Sequence, residues 1–142
     1  MCTKPPSGDD SMLIRSTWPL SQKDFDLTGL DALQMLTSRQ QYELRVDLMM
    51  WNGTKGYATY NNFFISNSSD NYRLNFDSFT EGNAGDSLSY HRGCQFSTWD
   101  RNNDQWIYNC AQENQGAWWY RDCSSACLNG EYMPSSTAPV GC

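Results

Sequence analysis

The sequence predicts an α+β domain: a twisted antiparallel sheet with a short helix and a long, disulfide-stapled loop region. Two segments with alternating apolar and polar residues predict strands. Three leucines at threefold spacing predict the helix. Six cysteines, three of them between residues 110 and 127, predict cross-links in a part of the chain with little regular periodicity.

The composition is consistent with one domain of 142 residues and excludes several classes of function. Hydrophobic residues at 39% and aromatic residues at 14% are enough for a packed core. The net charge of −6 argues against a nucleic-acid partner, which requires a basic face, and against anionic membranes. The sequence contains no apolar run long enough to span a bilayer, so we expect no membrane insertion.

Cysteine usage favours an extracellular protein. Six cysteines can form three bridges, which is typical of an oxidising compartment. The first ten residues lack the apolar segment of a signal peptide, so we interpret the chain as a fragment of a longer secreted protein. Reduced or metal-binding cysteines are the alternative. Glycosylation sequons at Asn52 and Asn67 lie in predicted turns and favour secretion.

The N-terminal part combines an irregular segment with one helix. Residues 1–24 show no clear period, and we expect them to be irregular. Thr28 can cap a helix whose first turn contains Asp31, near the positive end of the helix dipole. The helix should end near Ser38, and its buried stripe consists of Leu30, Leu33 and Leu36.

Three strands follow the helix. The segment 42–49 alternates strictly between apolar and polar residues, 56–65 is rich in aromatics, and 72–76 alternates again. The Asn-Gly pair within 51–53 and the polar segment 67–71 predict the turns between them. Short turns between successive strands predict an antiparallel meander.

Regular structure should diminish after Thr80. We expect a glycine-containing loop at 81–86, a polar and tryptophan-rich loop region beyond it, and an extended tail at 133–142. Four of the six tryptophans lie in that loop region: Trp99, Trp106, Trp118 and Trp119.

Several short motifs occur in one order along the chain, in segments 42–48, 71–74, 84–91, 96–98, 109–111, 116–120 and 128–130. They resemble the fibrinogen-like C-terminal domain of fibrinogen-related proteins, the family of ficolins, tachylectins and angiopoietin-like proteins. The resemblance implies a partial fibrinogen-like domain at residues 25–132, because the family's usual opening segment and closing strand are not recognisable. A missing central strand leaves open sheet edges, which favour oligomerisation.

Alternating oxygen-bearing side chains predict a cation site. Asp100, Asn102 and Asp104 occupy every second position, a pattern that can converge on calcium. The resemblance implies a structural calcium ion held by the side chains of Asn102 and Asp104 and by the backbone carbonyls of Trp106 and Tyr108. The family usually has Asp at the position of Asn102, so we expect weaker binding here. A solvated polar turn is the alternative.

The resemblance also implies a disulfide between Cys110 and Cys123. In the family the peptide bond before the second cysteine is cis, which here is the Asp122–Cys123 bond. An ordinary trans bond in a structural disulfide loop is the alternative.

The remaining cysteines are assigned from their positions. Cys94 and Cys127 lie near the same region of the linear map, and we predict that they pair. Cys2 and Cys142 then pair with each other or with another chain. The competing interpretation is a zinc site, for which the available ligands are Cys94, Cys110, Cys123, Cys127 and His91.

In lectin-like members of the family an acetyl-binding pocket lies beside the second cysteine. The resemblance maps this pocket onto Asn114, Trp119, Tyr120, Asp122, Cys123 and Ser124. Asn114 and Ser124 stand where the lectins have Tyr and His. Aromatic rings beside small polar groups suit carbohydrate recognition, and they suit a plain core equally.

The predicted function is extracellular recognition of carbohydrate or acetylated ligands beside a calcium-braced loop, resembling fibrinogen-related lectins of innate immunity. The alternative is a structural or assembly module that binds a peptide or protein partner without lectin activity. We predict no enzymatic activity, because His91 is the only histidine and no nucleophile or carboxylate pair is placed beside it.

Overall fold

The computed structural model describes residues 12–15, 29–50 and 53–129. Two short 3₁₀ turns, Ser68–Asp70 and Ser89–His91, accompany the regular elements. These elements are β1 (Met12–Arg15), α1 (Gly29–Thr37), β2 (Tyr42–Met50), β3 (Lys55–Ile65), β4 (Leu74–Asn75), β5 (Phe79–Gly82) and α2 (Cys110–Glu113).

An antiparallel sheet organises the described residues, as predicted. The strand order is β1-β2-β3-β4, and β5 also pairs with β3. The β2–β3 pair has Val46 opposite Ala58 and Leu48 opposite Gly56, with a register shift between Tyr42 and Leu44. Strand β3 is therefore the shared centre of the sheet, because it contacts β2, β4 and β5.

The sheet differs from the prediction in three places. Residues 12–15 pair with the C-terminal half of β2, so the prediction of an irregular segment is wrong there. The predicted strand 72–76 shrinks to β4, because Asn71 and Tyr72 have positive φ angles of 49° and 50° and form a turn. The predicted loop 81–86 overlaps β5, which depends on pairing with distant β3 residues.

Helix α1 confirms the predicted helix and packs against the sheet. The Thr37 hydroxyl donates to the Leu33 carbonyl at 2.8 Å and accepts from the Ile65 amide at 3.2 Å. Near the other end of the helix, the Tyr72 hydroxyl donates to Asp31 at 2.7 Å. The predicted cap Thr28, the predicted turn residues 51–52 and the tail 133–142 lie outside the described residues.

The hydrophobic core joins the sheet to the loop region. The Tyr60 ring contacts Phe76 and Phe79 edge-on, with centroids 4.9 and 5.7 Å apart. The loop region contributes to the same core through seven buried residues: Leu88, Cys94, Cys110, Ala111, Trp118, Trp119 and Tyr120. The loop region is thus part of the domain's packed interior.

Candidate functional site

Two backbone hydrogen bonds join Ser97 to Trp118 within the loop region. The Ser97 amide donates to the Trp118 carbonyl at 2.9 Å, and the Trp118 amide donates to the Ser97 carbonyl at 3.2 Å. This bridge encloses the segment 98–117. The segment contains the predicted cation loop, helix α2 and the residues that line the cleft described below.

The disulfide between Cys110 and Cys123 is present, which confirms the prediction. Cys110 is fully buried at the start of α2. Asn109 caps that helix, since its side-chain oxygen accepts from the Ala111 and Gln112 amides. The disulfide therefore ties the helix start to the chain around residue 123.

The predicted cis bond before Cys123 is wrong. The Asp122–Cys123 bond is trans, as are the other peptide bonds in the described part of the chain. Cys123 instead adopts φ of 50°, and its carbonyl accepts from the Arg121 amide at 3.1 Å. A left-handed residue thus makes the tight turn at this point.

The predicted pair of Cys94 and Cys127 is also wrong, since no disulfide joins them. Cys94 is a buried thiol whose backbone bonds to Leu74 and His91, and burial raises its pKa. The Cys127 sulfur lies 3.4 Å from the Tyr120 hydroxyl. The two cysteines are thus held in separate sets of contacts.

Three of the candidate zinc ligands, Cys110, Cys123 and His91, have other partners in the structure. Cys110 and Cys123 are consumed by their disulfide. His91 uses both ring nitrogens: Nδ1 lies 2.8 Å from the Trp119 carbonyl, and Nε2 accepts from the Ser125 and Ala126 amides. Within 29–50 and 53–129, no group of three or more His, Cys, Asp or Glu side chains could hold a metal ion.

The structure brings the four predicted calcium ligands into one tight loop. The Asp104 carboxylate accepts from the Trp106 and Cys110 amides, each at 2.9 Å. The Asn102 side-chain oxygen accepts from the Asp104 amide at 3.0 Å, and its nitrogen donates to the Tyr108 carbonyl at 3.3 Å. Asp100 has a different partner, because its carboxylate accepts from the Thr98 hydroxyl at 2.7 Å.

The donor set does not fit calcium in this arrangement. A hard cation requires oxygen atoms that converge on it. Between Asn102 and Tyr108, however, an N–H group faces the carbonyl oxygen. Among the four predicted ligands, Asp104 supplies the one carboxylate, and its two oxygens both accept backbone N–H groups.

Most of the predicted acetyl-pocket residues are structural. Trp119 and Tyr120 are only 7% and 1% exposed, and Ser124 is buried as well. The Trp119 indole N–H donates to the Tyr72 carbonyl, and the Tyr120 hydroxyl donates to the Gly116 carbonyl, each at 2.7 Å. These rings belong to the core and cannot wall an open pocket.

The other predicted pocket residues lie closer to the surface. The side-chain amide of Asn114 donates to the Cys110 carbonyl at 2.8 Å, where it helps to close helix α2. Asp122 is exposed, and its carbonyl accepts from the Tyr90 hydroxyl at 3.1 Å. Cys123 is half-buried in its disulfide. Of the six predicted residues, only Asp122 is exposed at the surface.

An open cleft lies elsewhere on the same segment. Its volume is about 570 Å³. The ring of Trp99, whose residue is 72% exposed, borders it. We call it the Trp99 cleft; it is lined by Thr98, Trp99, Asp100, Ala111, Gln112, Gln115, Gly116 and Ala117.

Hydrogen bonds fix the backbone beneath the Trp99 ring. The Trp99 carbonyl accepts from the side-chain amide of Gln112 at 2.7 Å and from the side-chain amide of Asn109 at 3.1 Å. The sequence placed Asp100 in a candidate cation site and predicted no ligand-binding role for the other cleft residues. The available signal was an indole directly followed by Asp100 and a polar run, where a core residue is not expected.

Comparison with known proteins identifies the family. The family model of the C-terminal globular domain of fibrinogen beta and gamma chains matches residues 17–140. The chain belongs to this fibrinogen-like family. The resemblance inferred from the sequence motifs is therefore confirmed, and the α+β fold class agrees with the fibrinogen-like structures below.

Curated relatives of this fibrinogen-like chain include a microfibril-associated glycoprotein and a tenascin. It is 47% identical over 113 residues to mouse microfibril-associated glycoprotein 4, which covers 76% of this chain and 44% of the relative. It is 48% identical over 108 residues to human tenascin-R, covering 75% of this chain and 8% of the relative. The chain thus spans less than half the length of these relatives.

Two solved structures share the fold. The fibrinogen-like globe domain of human ANGPTL6 has a TM-score of 0.75 at 40% identity, covering 78% of this chain and 50% of that one. The lamprey fibrin D-dimer, solved with the peptide ligand Gly-His-Arg-Pro-amide, has a TM-score of 0.73 at 33% identity, covering 75% of this chain and 37% of that one.

Among the described residues, no helix is long and apolar enough to cross a bilayer.

Proposed function

We propose that this fibrinogen-like chain is a secreted recognition module that binds carbohydrate or acetylated ligands in the Trp99 cleft. The observation that carries the proposal is the exposure of Trp99, 72% for the residue, beside a cleft whose lining includes polar side chains. An indole combines a broad apolar face with one polar N–H, which suits a ligand with an apolar face and polar edges. The apolar C–H face of a sugar ring fits this description.

The rim of the cleft supplies hydrogen-bonding groups for sugar hydroxyls. Asp100 accepts from the Thr98 hydroxyl, and this bond lowers the pKa of the Asp100 carboxyl, so the group is an ionised acceptor at neutral pH. Gln112 and Gln115 are exposed amides that both donate and accept. A few polar groups around an aromatic surface are typical of small-ligand sites.

Three of the residues that line the cleft are small: Ala111, Gly116 and Ala117. Small side chains leave room for a methyl group, and an acetyl substituent presents a methyl beside one carbonyl acceptor. This supports an acetylated sugar over an unsubstituted one.

A catalytic role is not part of the proposal. The only histidine is fully buried, and both of its ring nitrogens bond to backbone groups. A general base must reach a proton on the substrate, and His91 lacks that access.

The extracellular relatives support a secreted location.

A glycan-binding assay tests the proposal. The secreted chain is applied to an array of N-acetylated and unacetylated saccharides, together with the variants Trp99→Ala and Ile107→Ala. We expect binding to acetylated sugars and a loss of about tenfold or more in affinity for Trp99→Ala, as for an aromatic anchor. Ile107, which is 80% exposed on the same segment and outside the cleft, is the matched control.

The proposal fails if the wild-type chain binds no saccharide, or if Trp99→Ala binds as tightly as Ile107→Ala. Thermal unfolding of both variants should match that of the wild type, since both side chains are exposed.

A peptide or protein partner is the second candidate. The lamprey fibrin structure contains a basic peptide, and this chain carries a net charge of −6. Glu113 and Asp122 are exposed on the two segments that the Cys110–Cys123 disulfide joins. Calorimetric titration with Gly-His-Arg-Pro-amide, with Asp122→Asn as the variant, tests this candidate. Peptide binding that Asp122→Asn weakens and Trp99→Ala does not would favour it.

A further inference from the structure

We infer that side-chain amides, in place of a bound cation, hold the loop between Thr98 and Cys110, so that this chain keeps its cleft in shape without calcium. The inference starts from Asn102. Its amide group bonds in both directions, accepting from the Asp104 amide at 3.0 Å and donating to the Tyr108 carbonyl at 3.3 Å. The N–H group occupies the side of the Tyr108 carbonyl that faces Asn102, where a shared cation would otherwise lie.

The amide cannot be reversed without loss. Turning the Asn102 oxygen toward the Tyr108 carbonyl would place two acceptors face to face. It would also place the Asn102 nitrogen against the Asp104 N–H, two donors face to face. Both existing hydrogen bonds would be lost, and like polar groups would face each other in their place. The observed orientation is therefore the one that satisfies both neighbours.

Two further asparagines brace the same loop by the same chemistry. The Asn103 amide donates to the Phe96 carbonyl at 2.7 Å. The Asn109 amide donates to the Thr98 and Trp99 carbonyls, each at 3.1 Å. An amide N–H supplies a partial positive charge to a carbonyl oxygen, which is the role that a cation has in an ion-bound loop.

The brace extends to the cleft. The Trp99 carbonyl accepts from the side-chain amides of both Asn109 and Gln112, the latter at 2.7 Å. The Asp104 carboxylate links the other side of the loop to the start of helix α2 through the Cys110 amide. Side chains of this chain thus hold the Trp99 carbonyl in place.

An aspartate at position 102 would behave differently. One carboxylate oxygen could still accept from the Asp104 amide, but the other would face the Tyr108 carbonyl and repel it. A cation between these oxygens would remove the repulsion. The Asn102→Asp variant should therefore make the loop depend on calcium.

The test is thermal unfolding of the full chain in EDTA and across a calcium titration to millimolar concentration. The melting temperature of the wild type should be the same in both conditions. Asn102→Asp should melt lower in EDTA and recover on the order of 5 °C with calcium. Asn102→Ala removes both hydrogen bonds without adding an oxygen, so it should melt lower in both conditions.

Asn83→Asp is the matched control. The Asn83 oxygen also accepts a backbone N–H, that of Tyr57 at 2.9 Å, and its nitrogen also faces a carbonyl, that of Lys55 at 3.5 Å. The substitution changes the charge equally at a site without the other calcium-loop groups. It should give a melting temperature that calcium does not change.

Two results would overturn the inference. The first is a wild-type melting temperature that rises with calcium or falls with EDTA. The second is an Asn102→Asp variant whose calcium response equals that of Asn83→Asp. If Asn102→Asp fails to fold, calorimetric titration of the wild type with calcium decides, since binding heat contradicts the inference. None of these readouts involves a saccharide, so the ligand proposal stands or fails separately.

Discussion

The imidazole of His91 is locked to the backbone carbonyl of Trp119, with Nδ1 2.8 Å from the oxygen. Because a carbonyl only accepts, Nδ1 carries the proton and Nε2 is the acceptor. Nε2 receives the Ser125 amide at 3.1 Å and the Ala126 amide at 3.0 Å. The neutral ring thus connects the segment around Trp119 to the segment after the disulfide.

This arrangement predicts loss of stability in acid. Burial lowers the pKa of His91 from 6.5 to about 4, although its bond to the Trp119 carbonyl opposes the shift. Well above pH 6.5 the ring is neutral in the folded and unfolded states. Between pH 6.5 and about 4 only the unfolded state gains the proton, so the free energy of unfolding should fall by about 1.4 kcal/mol per pH unit, about 3 kcal/mol in total.

Urea unfolding at successive pH values measures this slope. The range from pH 6.5 to 5.5 is most informative, because carboxyl groups titrate mainly below it. His91→Asn retains a donor for the Trp119 carbonyl but has no group that titrates there. It should be less stable at neutral pH and show a flat profile in that range. An equally steep profile in this variant would assign the acid sensitivity to other groups.

Reduction of the Cys110–Cys123 disulfide should destabilise the domain. The bond links residues 13 apart in sequence. A loop of this size contributes about 3 kcal/mol in the chain-entropy model. Urea unfolding with and without dithiothreitol should show that difference in the wild type. The double variant Cys110→Ala, Cys123→Ala should lack the difference, whereas Cys94→Ala should retain it.

Gly82 should not tolerate a side chain. It pairs with Ala58 in the sheet at φ of 144°, and an added Cβ would lie 2.8 Å from the Ala58 Cα. Gly82→Ala should lower the free energy of unfolding by about 3 kcal/mol or more, because the backbone must move and the φ angle is strained.

Gly85→Ala is the control for this effect. Gly85 also has a positive φ, 79°, but an added Cβ would meet nothing within 4 Å. Its substitution should cost only the backbone strain, about 1–2 kcal/mol. Urea unfolding of both variants separates steric collision from strain, and equal losses would show that the contact with β3 is unimportant.

Asn67 should carry a glycan when the chain is secreted from eukaryotic cells. Asn67, Ser68 and Ser69 are all exposed, and the Ser69 hydroxyl donates to the Asn67 side chain at 2.7 Å. Ser69→Ala removes the sequon and should lower the glycosylated mass, whereas Ser68→Ala keeps it and should not. Mass spectrometry with and without glycosidase measures both. Identical masses for the two variants, after correction for the substitution, would contradict the prediction. The second sequon, at Asn52, lies outside the described residues.

Local patterns were enough to predict the elements whose partners are close in sequence. The alternation in 42–49 and the leucine spacing in 29–37 predicted the strand and the helix. The predicted buried stripe of the helix is confirmed only in part, because Leu30 and Leu33 are half-buried against the core, Leu36 does not pack on it, and the buried residue of the helix is Thr37. The pairing of Cys110 with Cys123 came from the motif resemblance and is confirmed. The cis bond and the Cys94–Cys127 pair were wrong, because backbone torsions and sulfur contacts depend on the packed surroundings.

The sequence by itself determined the fold class, the family and the position of the loop region, since these depend on periodicity and on ordered motifs. Only the tertiary structure decided which tryptophan is available to a ligand. Trp118 and Trp119 are buried, and residues distant in sequence contact them, His91 at the Trp118 ring and Tyr72 at the Trp119 indole N–H, whereas Trp99 is 72% exposed. The same holds for Asn102, because the orientation of its amide is set by the Asp104 amide and the Tyr108 carbonyl together. Burial and hydrogen-bond direction arise from contacts that form only when the whole chain folds.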